Sequence, residues 1–200
     1  MQTELDILKG KELVLASASP RRRELLSALG LPVRIAPVKE VDESFPADLA
    51  PDEVPEYISR VKAGAYVDEL GENEILVTAD TVVINHGHVM GKPHDAAEAR
   101  KMLENLSGHA HAVVTGVTLL TTGGRHLSFS VKTDVEFAPL SGKEIDYYVD
   151  TFRPFDKAGA YGIQEWIGFV GVSGIIGDYY NVMGLPLHSL YQHLKELVGG

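Results

Sequence analysis

The most apolar and β-branched stretch of the chain spans residues 74–84 and is interrupted by a single carboxylate, Asp80. An unbroken apolar run of this length is typical of a strand at the centre of a sheet, covered on both faces. A buried carboxylate without a partner is costly. Asp80 is therefore either paired, metal-bound or catalytic, or it caps a turn between two half-strands.

The remaining pattern alternates between strand and helix signals. Residues 126–137 alternate between apolar and polar side chains, which places Leu127, Phe129 and every second residue after them on one face of a strand. Gly123-Gly124 joins this strand to residues 110–121 and predicts a hairpin. A long hairpin makes the sheet mixed rather than all-parallel. The predicted strands are 11–17, 32–38, 74–84, 110–121, 125–137 and 166–170, and the predicted helices follow Ser19, Pro51, Asp95, Ser141 and Pro186.

The first strand runs into a hydroxyl-rich turn and three arginines, Leu13-Val-Leu-Ala-Ser-Ala-Ser-Pro-Arg-Arg-Arg23. Ser19 suits the N-cap, Pro20 the first helical position, and Gly30 the helix end. Cations at a helix N-terminus oppose the helix dipole, which favours an anionic ligand such as phosphate. The alternative is that the arginines form a solvated face.

Four histidines stand at the ends of predicted strands. His86 and His88 flank Gly87 in a hairpin turn, where loop histidines are a simpler interpretation than a metal site. His109 and His111 begin the next predicted strand and are expected to line one face of its edge.

A second unusual stretch covers residues 152–164 and is rich in small residues. Small residues let a backbone approach a ligand closely. Asp156-Lys157 is either part of a site or a surface pair, and Gln164 offers both a donor and an acceptor to a nucleobase edge. Lys62, on the edge of an apolar helix face, and Lys92, between Gly91 and Pro93, are further candidate cations, although each is also compatible with a plain surface position.

Composition narrows the class of protein. The 200 residues are 44% hydrophobic and contain no cysteine, which excludes disulfides and thiolate chemistry. The formal charge of −10 disfavours nucleic acid as a partner, whereas a local cationic pocket suits a small polyanion. No basic, apolar leader and no apolar run of about 20 residues is present, so we expect a cytoplasmic protein without a membrane span.

Four motifs resemble the Maf family of nucleoside triphosphate pyrophosphatases: Ser17-Ala-Ser-Pro-Arg-Arg22, Ala79-Asp80-Thr81, Gly91-Lys92-Pro93 and Asp156-Lys157-Ala-Gly-Ala-Tyr-Gly-Ile-Gln164. Their order and spacing match from about Leu13 to Leu194, which implies one domain over 1–200 with an N-terminal extension, 1–12. The resemblance implies an α/β fold like that of the inosine triphosphatases, with an elongated mixed central sheet flanked by helices, and two lobes with a cleft.

The same resemblance implies hydrolysis of a nucleoside triphosphate to the monophosphate and diphosphate, with Mg²⁺ or Mn²⁺. The resemblance also implies that Asp80 is the catalytic base. Three residues match the positions that separate the dTTP/UTP branch from the 7-methyl-GTP branch, and their identity fits dTTP and UTP; they are Arg21, Thr81 and Gln164. Substrate binding is carried over to Ser17, Arg22, Lys62, Lys92, Asp156 and Lys157.

The metal ligands implied by the resemblance are Glu43 and Asp80, although Asp42 precedes Glu43 and leaves open which of these two acids is used. The family also suggests a homodimer. Two other functions remain: a house-cleaning hydrolase of modified nucleotides, and a nucleotide-binding regulator of septum formation. A pure binder of a polyanion gains nothing from a buried carboxylate at Asp80 unless a metal intervenes.

Overall fold

The computed structural model describes residues 7–199, in which strands and helices alternate. The strands are β1 (Glu12–Leu15), β2 (Val33–Ile35), β3 (Glu74–Asn85), β4 (His88–Met90), β5 (Ala110–Thr121), β6 (His126–Phe137) and β7 (Val172–Ile176). The helices are α1 (Pro20–Ala28), α2 (Val54–Gly64), α3 (Ala96–Leu106), α4 (Gly142–Phe152), α5 (Trp166–Gly171), α6 (Tyr179–Met183) and α7 (Leu187–Gly199), with a short 3-10 turn at Ala158–Ala160. Within this range no helix is long and apolar enough to cross a membrane.

One mixed sheet contains all of these strands, in the order β2-β1-β3-β5-β6-β7, with β4 added to β3. β1 pairs in parallel with β2 and β3, whereas β4 pairs antiparallel with β3, and β7 with β6. The predicted mixed α/β architecture, a central sheet flanked by helices, is therefore confirmed. The predicted hairpin is also confirmed, because β5 and β6 are neighbours joined by a turn in which Thr121 N–H donates to Arg125 O at 2.9 Å.

β3 is the central strand that its apolar sequence predicts. Ile75, Leu76 and Val77 are fully buried, and β3 pairs with β1 on one side and neighbours β5 on the other. The strand runs unbroken from Glu74 to Asn85. The alternative of a turn between two half-strands at Asp80 is therefore wrong, and the carboxylate stands within a continuous strand.

Local capping explains where three helices begin. The side chains of Ser19, Asp95 and Ser141 each accept a backbone N–H from the third residue after them, and Ser141 forms a full capping box with Glu144. These contacts satisfy N–H groups that a helix start leaves without an internal partner. All three starts are predicted correctly.

The predicted strand over 166–170 is wrong. These residues form α5, in which Gly168 N–H donates to Glu165 O at 2.9 Å, and a Cβ at Gly168 would lie only 1.8 Å from Ile163 O. Only glycine permits this close approach, which turns the chain back on itself. The strand follows instead at β7, where the glycine-rich sequence predicted a turn.

The chain forms two compact units by its contacts, the first comprising residues up to 80, 115–131 and from 184 onward, and the second residues 81–114 and 132–183. In the first, Ala63 of α2 and Tyr66, just after this helix, share a hydrophobic cluster with Val14 of β1 and Leu76 of β3. In the second, α3 and α4 bury Leu103 and Tyr148 in a larger core. Residues 1–6 of the expected extension lie outside the described residues, whereas Leu8 is buried and Lys9 Nζ donates to Val198 O at 3.2 Å.

His111 does not lie on an edge, so the expectation for it is wrong. β5 lies between β3 and β6, and His111 is 4% exposed, with Nε2 2.8 Å from the hydroxyl of Tyr161. Burial lowers the pKa of His111 to about 4. His86 and His88 are exposed beside the β3–β4 turn, as predicted, and residues 7–199 contain no cluster of three or more metal-ligating side chains.

The buried imidazole predicts a loss of stability in mild acid. The unfolded chain binds a proton at His111 as pH falls below 6.5, whereas the folded chain does not until about pH 4. The contribution of the neutral His111 to the free energy of unfolding is therefore fully present above pH 6.5, and it falls by about 3 kcal/mol as the pH is lowered to about 4. Urea denaturation of the wild type and of His111→Gln across this pH range measures the loss of unfolding free energy. The same pH dependence in both proteins would contradict the assignment of that loss to His111.

A second stability prediction concerns the contact between β5 and the start of α2. A Cβ at Gly116 would lie 2.1 Å from Glu56 N, whereas a Cβ at Gly64, at the end of α2, meets no atom within 4 Å. Gly116→Ala should lower the free energy of unfolding by about 3 kcal/mol because the helix must move. Gly64→Ala is the matched control, expected to be neutral or slightly stabilising in the same urea titration. Equal free energies of unfolding for Gly116→Ala and Gly64→Ala would contradict a close contact between Gly116 and the start of α2.

Candidate active site

The turn after β1 is built by its two serine hydroxyls. Ser17 is buried, and its Oγ accepts the N–H of Ser19 at 3.2 Å. The Oγ of Ser19 in turn accepts the N–H of Arg22 at 3.4 Å, which starts α1. The turn thus forms as the sequence predicts, and it delivers Arg22 to the first turn of the helix.

The guanidinium of Arg22 holds backbone carbonyls. Its Nε donates to Gly184 O and its Nη1 to Ala79 O, each at 2.8 Å. Burial lowers the pKa of Arg22, while the charges of Asp80 and Glu43 oppose that shift. Arg22 therefore ties the segment before α7 to the residue that precedes Asp80, a role that sequence reasoning missed when it assigned this side chain to phosphate alone.

Lys62 joins two carboxylates. Its Nζ lies 2.8 Å from Asp80 Oδ1 and 3.2 Å from Glu43 Oε1. Asp80 is 15% exposed and Lys62 20%, whereas Glu43 is 53% exposed. Lys62 lies in α2, and its ammonium reaches the partly exposed middle of β3, where Asp80 stands.

The structure also distinguishes the two neighbouring acids of the loop that follows β2. Asp42 accepts the N–H of Ser44 at 2.9 Å, and this backbone hydrogen bond lowers the pKa of Asp42. Glu43 instead faces Lys62. Glu43 is therefore the acid that shares a partner with Asp80, whereas Asp42 forms a local turn.

Two residues at the base of this loop were not identified from the sequence. Lys39 N–H donates to the Tyr66 hydroxyl at 2.9 Å, and that hydroxyl donates to Pro37 O at 2.7 Å. The Lys39 ammonium reaches Ala65 O at 2.5 Å and Glu69 at 2.6 Å. These contacts fix the start of the loop to the end of α2, four residues before Glu43 and beside the helix that carries Lys62.

The second unit brings together two of the recognised motifs. Gly159 N–H donates to Gly91 O at 3.0 Å, which joins the stretch containing Lys92 to the stretch containing Lys157. Gly159 has a φ of 66°, and a Cβ there would lie 2.8 Å from Val83 Cγ2. Glycine is required at this contact because both the conformation and the space exclude a side chain.

Lys157 is buried and is held by two acids. Its Nζ lies 2.7 Å from Asp156 Oδ1 and 3.0 Å from Glu165 Oε1. Asp156-Lys157 is thus more than a surface pair, since the lysine side chain is only 9% exposed. Glu165 also accepts a hydrogen bond from Tyr148, and sequence reasoning identified neither residue.

The other candidates occupy accessible positions. Lys92 is exposed, and Arg21, Thr81 and Gln164 are partly exposed. Arg21 follows Pro20 in α1, Thr81 follows Asp80 in β3, and Gln164 directly precedes Glu165. Partial exposure leaves these side chains able to meet a ligand.

The first unit therefore contains two carboxylates and a lysine in contact, with the half-buried Arg22 nearby. Carboxylate oxygens are ligands that Mg²⁺ and Mn²⁺ prefer, and Mg²⁺ is commonly held by one or two carboxylates together with substrate phosphates. Glu43 and Asp80 fit such an ion by the chemistry of their donors. The fold is that of a mixed α/β protein, and its first unit places acidic and basic side chains in contact.

Comparison with known proteins agrees with this class. The family model described as Maf-like protein matches residues 12–197, and the chain belongs to this family. A curated relative from Phocaeicola vulgatus, named dTTP/UTP pyrophosphatase, is 51% identical over 193 residues, covering 96% of this chain and 100% of the relative. A protein of the same name from Bacteroides thetaiotaomicron is 54% identical over 186 residues, covering 93% of this chain and 96% of its own.

Two solved structures share the fold at low sequence identity. The Staphylococcus aureus Ham1 protein has a TM-score of 0.53 at 16% identity, covering 94% of this chain and 100% of its own. A HAM1 protein from Coxiella burnetii has a TM-score of 0.51 at 19% identity, covering 93% and 99%. These likenesses confirm the predicted fold class.

The contacts of Arg22 predict that it stabilises the fold. Arg22→Met should lower the free energy of unfolding by about 2 to 4 kcal/mol, because two buried carbonyls lose charged donors. Arg23→Met, at the exposed neighbouring position, is the matched control and should change it by less than about 0.5 kcal/mol. Urea denaturation of both variants measures the difference. If Arg22→Met unfolds at the same urea concentration as Arg23→Met, the two hydrogen bonds do not stabilise the protein.

Proposed function

We propose that the protein hydrolyses dTTP and UTP to the corresponding monophosphate and diphosphate. The observation that carries the proposal is the Asp80 carboxylate, held in β3 with the Lys62 ammonium 2.8 Å away and Glu43 on the same ammonium. The relatives named dTTP/UTP pyrophosphatase support the substrate, since they match nearly the whole chain at about half identity.

In this proposal Asp80 accepts the proton of the attacking water. An aspartate is a weak base, so its contribution depends on position, and its hydrogen bond to Lys62 together with the continuous strand β3 supplies that position. Lys62 is placed to offset negative charge that accumulates when water attacks phosphorus. Hydrolysis breaks the bond between the α-phosphorus and the bridging oxygen, and diphosphate leaves.

Glu43 and Asp80 would hold the proposed divalent cation, Mg²⁺ or Mn²⁺. When bound, such an ion neutralises phosphate charge in the transition state. The single Lys62 ammonium lies against both carboxylates and offsets only one of their two negative charges, which leaves a net negative charge for a cation. We assign this role to Glu43 rather than to Asp42 because Glu43 shares the Lys62 ammonium with Asp80, whereas Asp42 accepts the Ser44 N–H in a local turn.

Different residues are assigned to the phosphates and to the base of the substrate. We assign phosphate binding to Lys62 and Lys92, with the positive charge of Arg22 behind Ala79. Base selection is assigned to Gln164, Thr81 and Arg21, which are partly exposed. Uracil and thymine present the same oxygens and N3–H, which an amide side chain can match with its donor and acceptor.

In this proposal the enzyme acts in the cytoplasm, where nucleoside triphosphates are made and consumed. It acts there as a homodimer. The formal charge of −10 argues against nucleic acid as a second substrate. Its nucleotide substrate is a small polyanion, which the local lysines can hold within an acidic protein.

The deciding experiment is pyrophosphate release from a panel of nucleotides with Mg²⁺ and with Mn²⁺. We expect dTTP and UTP to be hydrolysed in preference to CTP, ITP and 7-methyl-GTP. Preference for a modified pyrimidine nucleotide instead favours the house-cleaning hydrolase. Nucleotide binding without pyrophosphate release from any of them favours the regulator of septum formation.

Asp80→Asn tests the catalytic assignment. Loss of the base should reduce pyrophosphate release by at least about 100-fold while nucleotide binding persists, because the amide keeps the shape of the side chain. Asp42→Asn is the matched control and should retain activity within about threefold, since an amide oxygen still accepts the Ser44 N–H. A folded Asp80→Asn variant that releases pyrophosphate at the wild-type rate would exclude Asp80 as the base.

A further inference from the structure

The hydroxyl of Tyr148 lies between two groups on the loop that contains Gln164. Tyr148 is fully buried in α4; it donates to Glu165 Oε2 and accepts the N–H of Gly162 at 3.0 Å. Gln164 stands between these two attachment points, two residues after Gly162 and one before Glu165. The backbone that presents Gln164 is therefore fixed on both sides by one phenol.

Lys157 extends this arrangement to the beginning of the loop. Its Nζ lies 3.0 Å from the second oxygen of Glu165, so the Glu165 carboxylate joins Tyr148 on one oxygen and Lys157 on the other. A Cβ at Gly162 would lie 2.9 Å from Glu165 Cδ and 3.0 Å from Lys157 Cε. The ion pair thus passes directly over the backbone of Gly162, and a side chain there would separate its members.

Lys157, Asp156 and Glu165 form a charged cluster whose net charge is negative, which opposes phosphate binding. Lys157 contributes one positive charge, and Asp156 and Glu165 each contribute one negative charge within 3.0 Å of it. A triphosphate brought to this cluster would meet two carboxylates and a lysine that they already neutralise. The cluster is better suited to hold a loop for an uncharged group, such as a nucleobase.

We propose that Tyr148 and Glu165 are positioning residues for base selection, which hold residues 157–164 in the one conformation in which Gln164 reads the pyrimidine. The inference rests on the proposed function, which assigns the base to Gln164. An amide distinguishes uracil from cytosine only if its donor and acceptor are fixed, because cytosine reverses the pattern at N3 and at the neighbouring exocyclic group. A buried hydroxyl that restrains the loop from both sides supplies that fixity without touching the substrate.

The test compares UTP with CTP in Tyr148→Phe. We expect kcat/KM for UTP to fall about tenfold, mainly through KM, while kcat/KM for CTP changes by less than about twofold, so that discrimination is lost. The matched control is Tyr147→Phe, the exposed neighbour on α4, which should retain wild-type discrimination. Equal losses for both nucleotides in Tyr148→Phe would show a merely structural role and overturn the proposal.

Glu165→Gln keeps the test decisive if Tyr148→Phe does not fold. The amide oxygen can still accept from Tyr148, whereas the ion pair with Lys157 is lost, so we expect a smaller loss of discrimination in the same direction. Unchanged discrimination in a folded Glu165→Gln variant would count against the arrangement.

A binding measurement supplies a readout that does not require turnover. Trp166 follows Glu165 and is the one tryptophan in the chain, so its fluorescence can be followed while uridine monophosphate is added without metal. Tyr148→Phe should weaken this binding about tenfold and leave the weaker cytidine monophosphate binding unchanged. Wild-type protein that neither binds uridine nucleotides nor releases pyrophosphate from UTP would refute the proposed function, whereas wild-type activity with unchanged discrimination in the variants would refute this inference alone.

Discussion

The carboxylate of Asp80 stands in an otherwise apolar central strand, and its need for a positive partner constrains the structure around it. An ionised group with so little access to water requires a close counter-charge. Lys62 supplies it at 2.8 Å, which requires α2 to bring this lysine to the partly exposed middle of β3. Arg22 then binds the carbonyl of Ala79, the residue before Asp80. The placement of α1 and of α2 is thus linked to two adjacent residues of β3, through the Ala79 carbonyl and the Asp80 side chain.

In the second unit, too, a charged group with little access to water is paired with opposite charges, but there the pairing restrains a loop. Lys157 is almost as buried as a core residue, and two carboxylates balance its charge. There the balanced cluster restrains a loop, because Glu165 is also bound to the fully buried Tyr148. In the first unit the balanced group retains partial exposure and a second carboxylate, Glu43, which suits it to ligand chemistry.

Sequence reasoning was accurate where the determining contacts are local. Ser19, Asp95 and Ser141 cap helices through backbone groups three residues away, so the necessary partners are visible in a short segment. It failed for 166–170, because whether Trp-Ile-Gly-Phe-Val forms a strand or a helix depends on the contact between Gly168 and Ile163 O. It also failed for His111, whose burial depends on β5 lying between two other strands rather than at an edge.

The sequence by itself determined the mixed α/β class, the central position of β3, the hydroxyl-built turn before α1 and the residue types available for chemistry. Only the tertiary structure decided how those residues combine: that Arg22 binds carbonyls of Ala79 and Gly184, that Glu43 rather than Asp42 meets Lys62, and that Glu165 joins Tyr148 to Lys157. The reason is that a charge's role depends on which group neutralises it. Those partners lie far apart along the chain, as Arg22 and Gly184 do, and no periodicity or motif records their distance in space.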